Sequence, residues 1–291
     1  MQRKGIILAG GMGTRLYPAT MGVSKQMMPV YDKPMIYYPL STLMIAGIKD
    51  ILIISTERDL PLFKDLLGDG SRWGISLSYK VQDKPNGIAE SLIIAEEFLG
   101  GSPCALILGD NIFYGSDMQQ ILHKAHSNIS GATIFTYSVA DPRRYGIACF
   151  NEEEVVVSLE EKPSYPKSDQ AVTGLYFYDS RAPEYVKSLK PSKRGELEIT
   201  DLNSVYLEKG ELFVQKFSRG HAWLDMGTHD SLMESSQFIS AIERRQGIKI
   251  ACLEEVSWNQ GWISDEEVKK ASILMGSTEY GRYLGRLVKE K

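Results

Sequence analysis

The apolar positions of this chain fall into alternating rhythms. A short unbroken run, Ile6, Ile7, Leu8 and Ala9, opens it, and similar runs recur at residues 50–56 (DILIIST) and 104–110 (CALILGD). Apolar runs this short, closed by glycine or charge, predict strands buried on both faces, as in a parallel sheet. Residues 76–82 (SLSYKVQ) alternate with a period of two and predict a further strand. Between the strands lie helical stretches at residues 40–48, where Gly47 suits a helix end, at 59–67 and at 87–99. Strand and helix in turn predict an α/β fold. Beyond Gly131 come β-rich runs, ATIFTYSVA, GIACF, EVVVSLEEKP and GLYFYD, which predict a mixed continuation of the sheet with an antiparallel excursion. The tail is helical: residues 230–245 carry an apolar stripe at Leu232, Met233, Ile239 and Ile242, and Ser264 with Glu267 forms a capping box before Val268. The expected organisation is an α/β domain over residues 1–228 and a helical region over 229–291 packed on it.

Charge and cysteine content narrow the function. A net charge of -4 argues against nucleic acid as the main partner, because a backbone binder needs surplus Lys and Arg. Cys104, Cys149 and Cys252 are widely spaced, with no C-x-x-C pair, which fits a reducing cytoplasm. The apolar run after Arg3 and Lys4 is too short for a signal-peptide core or a membrane span, so a cytoplasmic protein is expected.

The candidate chemistry gathers at strand ends. The first strand empties into Gly10, Gly11, Met12 and Gly13, followed by Thr14 and Arg15. Glycines there let N–H groups converge on an anion and Arg15 adds a guanidinium fork; an ordinary tight turn is the alternative. A P-loop would need Lys-Ser or Lys-Thr after the glycines, and a dinucleotide fingerprint a third glycine at position 16, which is Leu16. Asp110 closes the run at 104–108, and Asp225 follows Trp223 and Leu224 and precedes Gly227. Two carboxylates facing one triphosphate suit Mg²⁺, although each alone is equally a turn or cap residue. Lys25 lies close enough to Arg15 to reach the same phosphates, and Lys162, with Glu161 beside it, ends SLEEKP; both lysines are as readily solvated as functional. The four histidines have no metal-ligand spacing.

Taken in order, GIILAGGMGTRLYPAT, SKQMMPVYDKPMIYYPLSTLM, LGDNIFYG, DPRRYGIACF, LEEKP, VTGLYFYD, RGELEITD and AWLDMGTHDSL resemble the sugar nucleotidyltransferase family almost end to end. The resemblance implies a Rossmann-like, mixed but mostly parallel sheet flanked by helices, and a reaction joining a sugar 1-phosphate to a nucleoside triphosphate with release of pyrophosphate. The thymidylyl-transferring members are the most similar, which implies dTTP and glucose 1-phosphate as substrates, Mg²⁺ as cofactor, and a homotetramer. Carried over residue by residue, Gly10, Gly11, Gly13, Thr14 and Arg15 cradle the triphosphate, Lys25 and Gln26 join them, Gln82 and Gly87 form the base pocket, and Asp110 and Asp225 the metal site. Tyr145, Gly146, Glu161, Lys162, Val172 and Arg194 fall where the family meets the sugar phosphate. A regulatory site near a subunit interface is also implied, with Gly115, Arg219 and Glu255 as candidates by position. The chain departs from the family at Met12 (usually Ser), Asn86 (usually Asp), Glu90 and Ser91 (usually Gln-Ala), His221 (usually Tyr) and Met226 (usually Thr). The changes near Gly87 bear on nucleotide preference, and a uridylyl- or adenylyl-transferring enzyme is the nearest alternative. A silent nucleotide-sugar sensor on the same fold is another, although Arg15, Asp110, Lys162 and Asp225 are all present.

Overall fold

The computed structural model describes residues 2–11 and 13–289; Met12, one of the departures noted above, lies outside them. In chain order the strands are β1 (Lys4–Leu8), β2 (Pro29–Val30), β3 (Lys33–Pro34), β4 (Asp50–Ser55), β5 (Ser76–Val81), β6 (Cys104–Leu108), β7 (Asn111–Tyr114), β8 (Ala132–Ser138), β9 (Gly146–Phe150), β10 (Val156–Glu161), β11 (Gln170–Tyr178), β12 (Leu212–Lys216) and β13 (Ala222–Asp225). The helices are α1 (Tyr37–Ile45), α2 (Leu60–Leu67), α3 (Glu90–Ile94), α4 (Glu96–Leu99), α5 (Met118–Ser127), α6 (Ala182–Ser188), α7 (Ile199–Glu208), α8 (His229–Gln246), α9 (Leu253–Asn259), α10 (Asp265–Met275) and α11 (Glu279–Leu287).

β5, β4, β1 and β6 run parallel in that order, and β11 joins β6 antiparallel. β8 pairs antiparallel with β11, and β12 runs parallel to β8. The hairpin of β9 and β10 is the antiparallel excursion expected from sequence. The uninterrupted apolar run of β1 is explained by its central place. Ile7 packs with Leu40, Phe63 and Leu253 on one face, while Ile6 packs with Leu92, Val186 and Leu202 on the other. Both are fully buried, and β4 and β6 divide their apolar side chains between the same two layers.

Two helices differ from expectation. The first begins at Tyr37 and stops where Gly47, at φ 83°, reverses the chain; Ile48 N donates to Leu43 O at 3.0 Å, closing the last turn. The helix expected over residues 87–99 begins only at Glu90 and breaks at Ala95, because the chain ahead of it pairs with Leu197 instead. Leu197 N donates to Asn86 O at 2.7 Å and Ala89 N to Leu197 O at 3.2 Å. Gly87, at φ 112°, lets the two segments touch: a Cβ there would lie 2.3 Å from Leu197 O.

The tail packs on the sheet domain through specific contacts. Trp73 Nε1 donates to Glu254 of α9 at 2.9 Å, and the Ser264–Glu267 capping box opens α10 as expected. The stripe on α8 is narrower than its sequence suggests: Ile239 is buried, whereas Met233 is 54% exposed. What fixes α8 is polar. Glu243, at 2% side-chain exposure, accepts from Lys33 Nζ at 2.9 Å, Lys249 Nζ at 2.7 Å and Ile250 N at 2.9 Å. Removing that carboxylate leaves Lys33 and Lys249 sharing Asp32 alone and takes the acceptor from Ile250 N. Glu243→Ala is therefore expected to destabilise the protein by about 1.5–3 kcal/mol in equilibrium denaturation, and a midpoint shift worth under about 0.5 kcal/mol would contradict this account of the tail.

Candidate active site

The carboxyl edge of the parallel strands assembles the site. Ala9 N donates to Ile54 O at 2.8 Å and Gly109 N to Leu8 O at 2.9 Å, so the segments leaving β1 and β6 stay zipped to the sheet for one residue more. Gln82 N donates to Ser55 O at 2.8 Å and holds the exit of β5 at the same edge. Three sequence-distant segments therefore open side by side, as ligand sites of α/β sheets require.

The glycine segment takes the conformation its composition allows. Gly11 and Gly13 have φ 94° and 59°, and Thr14–Leu16 form one 3-10 turn. Thr20 Oγ1 donates to Gly13 O at 2.7 Å and ties the loop back. Gly10, Gly11, Gly13, Thr14, Arg15, Lys25, Gln26, Asp110 and Asp225 all border one cavity of about 240 Å³. Gln26 is buried and accepts from Ser24 Oγ at 2.7 Å, and its Cγ lies 3.0 Å from where a Cβ on Gly109 would stand. Its contacts support the turn into Asp110.

Asp110 and Asp225 meet because of a two-stranded ladder. β13 pairs antiparallel with β7 in a register that sets Asp225 opposite Asn111, and Met226 N donates to Asp110 O at 3.2 Å. Asn111, buried, holds the junction together: Nδ2 donates to Asp110 Oδ1 at 2.8 Å, while Oδ1 accepts from Trp223 Nε1 at 2.6 Å and Gly174 N at 3.2 Å. Burial first, and then the Asp110 carboxylate, push the Asp225 carboxyl up to about 6, against the pull of Lys25, Arg144 and Arg15. Lys25 Nζ is paired with Asp110 Oδ2, and Arg144 lies 3.8 Å from Asp225.

This donor set fits a divalent cation of the Mg²⁺ kind. It is all oxygen, and Asp225, buried and facing a second carboxylate, holds its proton more tightly than a free carboxyl despite the nearby Lys25 and Arg144. Among the described residues there is no group of three or more His, Cys, Asp or Glu suited to a metal. Two carboxylates would leave the other positions to phosphates and water, which is how Mg²⁺ is usually held in phosphoryl-transfer sites.

On one side, sharing Gly11, lies a cavity of about 340 Å³ bordered by Thr56, Glu57, Arg58, Gln82, Asp83 and Pro85. Gln82 therefore borders a pocket continuous with the glycine loop. A glutamine amide has both faces needed to meet a pyrimidine's N3–H and O4, but here Nε2 donates to Glu90 Oε2 at 2.7 Å and to Gly87 O at 3.4 Å, which occupies both its hydrogens and leaves Oε1 for a ligand.

On the other side, sharing Arg15 and Asp225, lies a cavity of about 230 Å³. Tyr145, Gly146, Glu161, Lys162, Val172 and Arg194 all border it. Glu161 is its centre: Thr200 Oγ1 donates to one oxygen at 2.6 Å, and Lys162 Nζ lies 3.1 Å from the other. A Cβ on Gly146 would stand 2.9 Å from Thr200 Oγ1 and 3.2 Å from Glu161 Oε2, so glycine is what admits that pair. Lys162 takes φ 43°, and its N donates to Tyr145 O at 3.0 Å, which anchors the strand end beneath it. Arg194 is gripped by both oxygens of Glu198 at 2.8 and 2.9 Å and approaches Glu161 at 3.5 Å.

The structure adds residues that sequence reasoning missed: Arg144 beside Asp225, Asn111 beneath Asp110, Thr200 on Glu161, and Glu90 on Gln82. Arg143 and Arg144 are adjacent, and only the fold decides that the first pairs with Asp141 and the second enters the site. Gly115, Arg219 and Glu255 border none of these three cavities. Gly115 packs against the His221 ring, Glu255 accepts from Tyr283 Oη at 2.8 Å, and Arg219 is exposed. No helix among the described residues is long and apolar enough to cross a membrane.

Comparison with known proteins places the chain in a family. The Nucleotidyl transferase family profile matches residues 4–242. A glucose-1-phosphate thymidylyltransferase of Neisseria meningitidis serogroup A is 58% identical over 99% of this chain and 100% of its own. One from Xanthomonas campestris pv. campestris is 54% identical over 99% of this chain and 98% of its own. A solved structure from Bacillus anthracis, assigned as a glucose-1-phosphate thymidylyltransferase and holding sucrose, superposes with a TM-score of 0.75 at 43% identity, covering 81% of this chain and 94% of the other. With a mixed sheet that opens three joined cavities along its carboxyl edge, and with relatives matching it end to end, the chain belongs to the nucleotidyl transferase family.

Proposed function

We propose that this chain transfers a thymidylyl group from dTTP to glucose 1-phosphate, giving dTDP-glucose and pyrophosphate. The observation that carries the reading is the continuity of three cavities, with Arg15 and Asp225 common to the central and sugar-side ones. A nucleotide with its base near Gln82 has its triphosphate beside Gly11 and Arg15, and a sugar phosphate between Lys162 and Arg194 approaches the same point from the opposite side.

Charge then dictates the chemistry. An oxygen of the sugar phosphate attacks the α-phosphorus in line, the α–β bridging bond breaks, and pyrophosphate leaves with the electron pair. The attacking group is already an anion, so no general base is needed. Loop N–H groups and Arg15 hold the departing phosphates, and Lys25 supplies a further positive charge. Lys162 meets the attacking phosphate, while Glu161, steadied by Thr200, accepts from sugar hydroxyls. Asp110 and Asp225 would hold Mg²⁺, whose charge offsets the repulsion between the two anionic substrates when it is bound.

A pyrophosphate-release assay with Mg²⁺, glucose 1-phosphate and each of dTTP, UTP, ATP and GTP tests the reading. The highest kcat/KM is expected with dTTP, UTP following, and a preference for ATP would refute the base assignment. In the same assay Lys162→Ala should raise the KM for glucose 1-phosphate by about tenfold to a hundredfold and barely change that for dTTP. Equal damage to both would instead make Lys162 a structural residue.

Asp110→Asn and Asp225→Asn should each lower turnover by roughly two orders of magnitude or more, and the double variant should be little worse than either. Asp225→Asn should not lower the melting temperature of the free protein, since it relieves repulsion with Asp110, whereas Asp110→Asn also takes the counter-ion from Lys25, so its thermal unfolding is followed to confirm that the fold is retained. Turnover near wild type in either single variant, or losses that add in the pair, would mean that the two acids do not share a cation.

A homotetramer with the tail at its interfaces belongs to the same reading, supported by Ile273 and Leu274, which are 78% and 79% exposed on α10. Light scattering at micromolar concentration should give four times the chain mass, and a monomer would remove the idea.

A further inference from the structure

The amide of Gln82 is held one way round, and Glu90 is the stronger of the two acceptors that set it. Nε2 donates to Glu90 Oε2 at 2.7 Å and, over a longer distance, to Gly87 O at 3.4 Å. A carboxylate only accepts, so the reversed amide would place two acceptors against each other at that distance. Glu90 is itself steadied, since its other oxygen accepts from Asn86 Nδ2 at 2.8 Å. Gln82 Oε1 therefore faces away from Glu90 and lies beside Gly10, where a Cβ would stand only 2.8 Å from it. Gln82 is not among the residues with a buried polar atom lacking a partner, and it borders the cavity with Thr56 and Arg58.

We propose that Glu90 is a positioning residue for nucleotide specificity. By holding the amide nitrogen, it presents only the oxygen of Gln82 to the base. The pocket then requires a ring N–H donor, which thymine and uracil carry at N3, and refuses cytosine, whose N3 is a lone-pair acceptor facing another acceptor. With an amide at position 90 the constraint weakens, because two amides pair in either sense and only the longer contact with Gly87 O still keeps the Gln82 nitrogen from turning toward the base. This inference rests on the reading of Gln82 as a base contact, and the experiment separates the two.

Steady-state kinetics with dTTP and dCTP are measured for the wild type, Glu90→Gln and Gln82→Ala. Glu90→Gln keeps size and most hydrogen bonding, and thermal unfolding checks that the fold is retained. It is expected to lower the dTTP-to-dCTP ratio of kcat/KM by about tenfold or more, mainly through KM, with kcat at saturating dTTP changing far less. An unchanged ratio, or an equal fall in kcat for both nucleotides, overturns the positioning role. If Gln82→Ala lowers the ratio and Glu90→Gln does not, Glu90 alone has been misread. If Gln82→Ala leaves the ratio at its wild-type value, the base-contact reading itself fails and takes this inference with it.

Discussion

Two carboxylates brought side by side are the constraint on which this site depends. Asp110 and Asp225 come from distant parts of the chain, and ordinary electrostatics would keep them apart. The ladder of β7 and β13 overrides that preference, because backbone hydrogen bonds and the packing of Trp223 fix the register and leave Asp225 opposite Asn111. Burial and that repulsion together raise the proton affinity of Asp225. Lys25 and Arg144 temper the rise without removing it.

The arrangement of the rest follows from that point. If the ladder is to hang from β6, the turn at Gly109 and Asp110 must lie at the carboxyl edge, and Asn111 must reach both Gly174 on β11 and Trp223 on β13. The glycine loop leaves β1, the neighbour of β6, at the same edge, so loop and acids border one cavity. The cavity lined by Glu161 and Lys162 lies over β9, β10 and β11, on the antiparallel side of the sheet, and the one lined by Gln82 beyond β4 and β5 on the parallel side. The order of the three cavities is thus the order of the strands.

Much of this was legible in the sequence where the signal is local. The buried strands, the left-handed residue at Gly47, the capping box at Ser264 and the placing of Asp110 and Asp225 at strand ends all depend on neighbours in the chain. Signals that depend on tertiary pairing were not legible. Nothing in DPRR says which arginine enters the site, and the stripe on α8 promised a buried Met233 where a buried Glu243 ion pair secures the helix instead. The late start of α3 has the same origin, since pairing with Leu197 takes the residues that helix propensity alone would have enrolled.

The departures around Gly87 show how a tertiary contact changes the meaning of a sequence difference. Read singly, Asn86 in place of Asp and Glu90 in place of Gln weaken the likeness at the position nearest the base. In the structure they act together: Asn86 Nδ2 donates to Glu90 Oε1 at 2.8 Å. What changes is the group facing Gln82. A glutamine at position 90 would meet that amide with a donor or an acceptor, whereas a carboxylate meets it only with an acceptor. The Asn86–Glu90 pair thus sets a carboxylate against the Gln82 amide nitrogen and leaves the amide oxygen beside Gly10, so two sequence differences read singly as losses form one local arrangement.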